Sequence, residues 1–301
     1  MRGDSKNLDE FYRWLVVILI VFLMYKFVKG DSLIYVINRS LPPQEAGVLA
    51  GIIMGDKSGF SKIFYQYLKD SGLVHLVVVS GSNVMLLVGG VIELMAGFLG
   101  RKKMIAGGLV LGWGYAGMVG WEVPVVRAML LVTLLYLAQL YGRKYDLSRA
   151  LLVAILIMVI GETGVLMSVS FWLSITAFMG VIMARNKWYT NILVSLWITP
   201  ILAMVFGKIS LISPISNFLV TGLVEAVTLI GVVGTMAGMI NLAVGKVILW
   251  LTYPILKYLV IVAEMTGSGK WSTIWLGFNW LILAGWYLVL GYWFWKKSEK
   301  D

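Results

Sequence analysis

Gly72-Leu73-Val74-His75-Leu76-Val77-Val78-Val79-Ser80-Gly81-Ser82-Asn83 sets the only histidine of the chain and a Ser-Gly-Ser-Asn break at the head of a long apolar run. A helix facing lipid gains nothing from such groups. Polar side chains and irregular backbone at membrane depth are held where protein or a water-filled cavity satisfies them. The stretch therefore reads as the wall of a pathway, at the centre of a channel or transporter.

Working outward, 60% of the residues are hydrophobic and 13% charged, against about a quarter charged in ordinary soluble domains. Apolar runs fill the chain almost from end to end, so the expected fold is all-α, a single polytopic transmembrane helix bundle. Without cysteine there is no disulfide, Fe–S cluster or thiolate metal site, and one histidine leaves little for a His-rich metal centre. No cofactor is expected. The formal charge of +10, from 25 basic and 15 acidic residues, favours an anionic partner or an anionic membrane leaflet.

Runs long enough to span a bilayer fall at 11–28, 72–99, 104–120, 124–141, 147–160, 164–184, 189–206, 212–240, 243–263 and 279–295, about ten in all. The first follows a charged head, lacks a small-residue cleavage site and reads as a retained helix. Basic clusters lie at Arg101-Lys102-Lys103, Arg143-Lys144 with Arg149, Arg185 with Lys187, and Lys296-Lys297. The connections between them carry Glu122 or Glu162 instead. This alternation places the basic set, and both termini, in the cytoplasm.

The connection from Lys29 to Ser71 falls on the outer side and yet carries Arg39, Lys57, Lys62 and Lys69. Either a longer loop escapes the orientation rule, its field softened by Asp31, Glu45, Asp56 and Asp70, or it forms an electropositive mouth that collects a polyanion. Pro42-Pro43-Gln44-Glu45 opens a predicted helix through Met54. Ser61 to Leu68 reads as an amphipathic turn or two. Its aromatics beside Lys62 and Lys69 suit a membrane interface, or stacked bases on a charged track.

Were 72–99 one unbroken helix, 100° per residue would align His75, Ser82, Gly89 and Glu93 on one stripe. Glycines and serines around Ser80 predict a break or re-entrant turn whose freed backbone groups join the lining. Arg127, one turn beyond Trp121-Glu122-Val123-Pro124, either snorkels, pairs with Glu122 or Glu162, or makes a fixed phosphate contact. Ser170 and Ser174 share a face that serves as helix-packing glue or lines a wide path. Ser216-Asn217 adds a polar break, and Glu225 two turns deeper is read as a buried acid. The glycines from Gly107 to Gly120, and Gly231, Gly234 and Gly238, read as packing positions.

Taken in order, several fragments resemble the competence domain of the ComEC DNA-uptake channel family: Ala46 to Gly55, Gly72-Leu73 with His75-Leu76, Ser80-Gly81 then Asn83, Pro124 with Arg127-Ala128, Phe171 with Leu173-Ser174 and Ala177, and Ser216-Asn217. The resemblance implies passage of one DNA strand across the cytoplasmic membrane of a prokaryote, and no enzymatic role. It implies single-stranded DNA and membrane lipid as partners, together with a cytosolic DNA-translocating motor and an outer DNA receptor. The residues it points to are His75, Ser80, Gly81, Asn83, Arg127 and Ser174; the reading of helix faces and charge adds Ser82, Glu93, Ser170 and Asn217 as lining or DNA-contacting, behind an outer mouth of Arg39, Lys57, Lys62 and Lys69. Asn83 stands where many members carry histidine, and Ser170 and Trp172 replace a glycine and a glutamine. The implied division is residues 1–30 as head and first helix, 31–71 as outer basic loop with short amphipathic helices, and 72–301 as the channel domain. Larger members also carry an oligonucleotide-binding barrel and a metallo-hydrolase-like domain. Neither is expected within this chain, so removal of the second strand falls to another protein.

Two other readings stand beside it. A secondary transporter of a small anion or lipid headgroup would use Glu93 or Glu225 as its proton-coupling acid. An intramembrane hydrolase would need Ser80 and His75 together, and on a regular helix they lie about 140° apart.

Overall fold

Ala46 to Ile53 are apolar on every side, so a helix built from them has no face to offer water and must sit inside the protein. The computed structural model, which describes residues 30–78, 81–183, 187–269, 272–275 and 280–298, places it there. The predicted first span at 11–28 and Ser80 lie outside the described residues.

The described chain runs α1 (Gly30–Ser40), α2 (Pro43–Met54), α3 (Lys62–Asp70), α4 (Val74–Val77), α5 (Gly81–Leu99), α6 (Arg101–Met118), α7 (Val123–Leu140) and α8 (Leu147–Gly161). After a 3-10 turn at Thr163–Met167 come α9 (Val169–Met183), α10 (Lys187–Phe206), β1 (Lys208–Ser210), α11 (Ser213–Ile240), α12 (Leu242–Trp250), α13 (Tyr253–Gly267), β2 (Thr273–Trp275) and α14 (Trp280–Ser298). The fold is all-α apart from the β1–β2 ribbon, which is antiparallel with Ile209 opposite Ile274.

Among the described residues, α7 and α11 are each long and apolar enough to cross a membrane. The expected unbroken span at 243–263 is instead two helices, α12 and α13, bent by 50° at the break between them. Pro254 has no amide to continue the ladder, and the buried Thr252 hydroxyl takes up the Leu249 carbonyl at 2.6 Å. Counted as one broken span, this pair makes a third crossing.

Contacts divide the chain into two units. The first comprises the described parts of Met1–Phe60, His75–Ile157 and Gly222–Val260. Its core gathers Leu33 of α1, Val84, Val88 and Ile92 of α5, Ile105 and Tyr115 of α6, and Val125, Met129 and Val132 of α7. α2 is buried from Glu45 through Ile53, and Glu45 meets Lys257 of α13 at 3.5 Å. The glycines of α6 set how closely its neighbours approach. A Cβ on Gly108 would sit 2.2 Å from Ile92 Cγ1, and one on Gly112 would lie 2.7 Å from both Met129 Sδ and Val88 Cγ2.

The second unit comprises the described parts of Ser61–Val74, Met158–Thr221 and Ile261–Asp301. In it α9 packs on α10, where Gly180 lies against the Val194 backbone. Pro200 inside α10 leaves the Leu196 carbonyl without its helical donor. The Trp286 indole of α14 donates to that carbonyl at 3.1 Å, and the Tyr287 hydroxyl to the Trp197 carbonyl at 2.8 Å. The three segments read from the sequence cut across these two units: α2 belongs to the first and α3 to the second.

Two stability outcomes follow from this packing. Gly108→Ala should lower the unfolding temperature in detergent, with a cost of about 1–3 kcal/mol from overpacking. Gly107→Ala, with nothing within 4 Å of its Cβ position, should leave it unchanged or raise it. Trp286→Phe should cost about 1 kcal/mol. In a Pro200→Ala background, where the amide of residue 200 can return to Leu196, that cost should shrink, as a double-mutant cycle by denaturant unfolding would measure.

Candidate functional site

The last turn of a helix leaves its carbonyls without helical partners. At the end of α2 these are Ile52 and Ile53, deep in the first unit. Asn83 is 1% exposed, and its Nδ2 donates to the Ile52 carbonyl at 3.4 Å. The Tyr115 hydroxyl of α6 donates to the Ile53 carbonyl. Asn83 thus positions the start of α5 against α2, a task the sequence did not separate from lining.

That anchoring brings two helix beginnings together. A Cβ on Gly81, the first residue of α5, would lie 3.2 Å from both the Pro124 carbonyl oxygen and Ala128 Cβ, and 3.6 Å from Arg127 Nη2. The first turns of α5 and α7 are therefore in contact, each with the positive end of its dipole, while in α7 the Val125 and Val126 amides bond the Glu122 carbonyl and Pro124 has no amide. Arg127 lies between them. Its Nη1 is buried without a hydrogen-bond partner, and among the described residues Arg127 forms no ion pair. Pairing with Glu122, one of the readings left open above, is not what holds it. A guanidinium beside two helix N-termini, with a buried and unused donor, is an anion-attracting arrangement.

Trp121 precedes this turn with φ of +58°, a left-handed conformation costing a non-glycine residue about 1–2 kcal/mol. Its ring is half-exposed and lies 6.2 Å from that of Trp113, whose indole donates to Thr133 of α7 at 3.2 Å. Sequence reasoning passed over Trp121 as a site residue. The Gly120-Trp121 turn ahead of Pro124 was the available signal.

The other predicted residues are placed as follows. His75 on α4 is exposed, and the side chain of Ser82 lies outside the described residues. Glu93 is exposed and meets Arg101 at 3.7 Å, and Arg101 also donates to Gln139 at 2.9 Å. In the second unit, Ser174 donates to the Ser170 carbonyl at 2.6 Å, one turn back in its own helix. Asn217 donates to Ser213 Oγ at 3.1 Å while its Oδ1 is buried without a partner. Glu225 is corrected: it is exposed, about 100° around α11 from the buried Val224 and about 160° from the buried Val227. An apolar helix surrounded by apolar sequence gives no sign of which side turns inward.

The outer cations divide between the units. Arg39, on the exposed side of α1, stacks 5.6 Å from the Tyr35 ring, and Lys57 is exposed in the turn after α2. On α3, Lys62 is exposed and Lys69 lies 4.6 Å from the Tyr65 ring. The acids near them are engaged: Asp70 is ion-paired with Lys208 and bonded by Gln66, and Asp56 accepts from both the amide and the hydroxyl of Ser58 at 2.8 Å. Ser210 and Ser216 donate to the Asp70 and Ser71 carbonyls at 2.7 and 2.5 Å, which ties the end of α3 to the ribbon and to α11. Among the described residues, no three His, Asp or Glu side chains gather where they would hold a metal ion.

Apolar helices of membrane-crossing length, polar helix breaks buried among them and a cationic turn with an unused donor define a helical membrane protein with an anion-attracting site. Residues 52–300 match the family described as Competence protein, so the chain belongs to that family, and the resemblance read from its motifs is borne out. A protein of Escherichia coli, described as the uncharacterized protein YcaI, is 25% identical over 276 residues, covering 81% of this chain and 36% of that protein. Recombination protein 2 of Haemophilus influenzae is 23% identical over 198 residues, 59% of this chain and 25% of that protein. The chain thus spans only about a third and a quarter of the length of these curated relatives. No solved structure matches.

Asn83→Ala should destabilise the protein by about 1–3 kcal/mol, the cost of leaving a buried carbonyl without its donor. Thermal unfolding in detergent measures it; a variant as stable as the parent would show that Asn83 does not hold α5 to α2.

Proposed function

We propose that this chain is a conduit carrying single-stranded DNA across the cytoplasmic membrane of a prokaryote during natural transformation. The observation that carries the reading is Arg127: a cation with a buried, unused donor, flanked by the first turns of α5 and α7, in a chain of the competence family. Phosphate is the anion that suits it. A guanidinium bonds phosphate oxygens through a planar fork, and the dipoles of two helix N-termini favour the same charge. The half-exposed Trp121 beside it offers a face for a base, and stacking on such a face tolerates any sequence. The name of the Haemophilus relative, a recombination protein, agrees with a DNA substrate.

In this reading the helices make about ten crossings with both termini cytoplasmic, and Arg39, Lys57, Lys62 and Lys69 draw the strand in from outside. The chain binds and guides without catalysing a reaction or holding a cofactor. A cytosolic motor supplies direction and an outer receptor delivers the DNA.

The test is entry of labelled DNA into the cytoplasm of cells lacking the protein, then of cells supplied with variants. Loss of entry, restored by the parent, is expected. Arg127→Ala should lower it by about tenfold or more, as loss of a charge-assisted hydrogen bond implies, with Arg127→Lys between the two. Unchanged entry without the protein would overturn the proposal.

A further inference from the structure

The exposed side of α11 within the first unit carries one charged group in an otherwise apolar stripe. Gly222, Glu225, Leu229, Val233 and Ile240 are all exposed, and at 100° per residue they fall within about 80° of one another around the helix. Glu225 is the thirteenth of the 28 residues from Ser213 to Ile240. That puts it about 18 Å from the start of a helix about 42 Å long, at mid-depth of a hydrocarbon layer about 30 Å thick. Among the described residues it has no hydrogen-bond or ion-pair partner.

We infer that this side of α11 seats a transmembrane helix of another protein, one that brings a lysine, arginine or other donor to the depth of Glu225. A carboxylate facing lipid is costly, and such groups are retained where a partner or a cavity meets them. Apart from Gly222, the other residues of the stripe are large and apolar, which fits a helix surface better than water. A DNA path is excluded by sign, because a carboxylate repels phosphates. Gly222 lies one turn before Glu225 with nothing within 4 Å of its Cβ position, so an incoming backbone can approach closely there. A second copy of this chain, docked face to face, would set two carboxylates against each other. Charge therefore selects a partner of different sequence.

The probe is a synthetic Leu-Ala transmembrane helix with a single central lysine, compared with the same peptide bearing a central leucine or glutamate. Binding to the reconstituted full chain is read by energy transfer in liposomes. The lysine peptide should bind about tenfold more tightly than the leucine peptide, the scale of one interhelical polar contact. Glu225→Leu should abolish that preference without lowering thermal stability, and Glu225→Lys should reverse it toward the glutamate peptide. Because the chain has no cysteine, Gly222→Cys supplies a single thiol that the bound lysine peptide should shield from a membrane-permeant label. Equal binding of the lysine and leucine peptides, or a lysine preference that survives Glu225→Leu, would overturn the inference. So would rapid oxidation of the Gly222→Cys variant to a disulfide-linked dimer, which would assign the surface to a second copy.

Discussion

A backbone carbonyl that loses its helical donor inside an apolar protein must find another, because no water is at hand to take its place. The breaks in this chain follow that rule. Ile52 and Ile53 at the end of α2 are met by Asn83 and Tyr115. Leu196, released by Pro200, is met by Trp286. Asp70 and Ser71, where α3 gives way to a turn, are met by Ser210 and Ser216. In each case a side chain fills the place of the missing amide, and the donor brings a second element with it. The breaks in the helices are therefore also their points of attachment.

Arg127 departs from that pattern, as do the Ser40 hydroxyl and Asn217 Oδ1, but Arg127 alone of the three is a cation: its Nη1 is enclosed with nothing to bond. The contact between Gly81 and the first turn of α7 explains why no side chain fills the gap: a residue with a Cβ at position 81 would already crowd the Pro124 carbonyl. The arrangement is built by subtraction. A glycine opens the corner, Asn83 fixes the helix behind it, and the guanidinium is left facing what the protein itself does not supply.

Much of this was legible in the sequence, and the failures have identifiable causes. α2 begins at Pro43 and ends at Met54 as read, since paired prolines and a left-handed glycine mark helix ends whatever the surroundings. Gly108 and Gly112 of α6 pack as expected, because a residue without a side chain lets neighbouring helices close in, whereas Gly107 and Gly120 have open space where a Cβ would sit. The motifs that carry the family resemblance were short but ordered, and all but the first fall wholly within the match over residues 52–300. α1 went unread because its apolar residues are interrupted by Tyr35, Asn38 and Arg39 in a stretch taken for a loop. The β1–β2 ribbon is three residues a side and pairs segments more than sixty positions apart, which no local pattern reveals. Glu225 was placed on the wrong side of its helix for want of any polar face to orient it.

The partners of the acids near the outer cations bear on how far those cations are felt. Glu45 is spent on Lys257 inside the first unit and Asp70 on Lys208 in the second, so neither offsets its unit's exposed lysines and arginine. Each such pair is a short dipole whose field dies away quickly, whereas the exposed Arg39 and Lys57 in one unit, and Lys62 in the other, keep the reach of monopoles. Their reach is then governed by dissolved ions, with a Debye length of about 8 Å at physiological ionic strength and about 30 Å in dilute medium. If these cations face outward as proposed, a cell in fresh water would present a far wider capture radius than the same cell in brine.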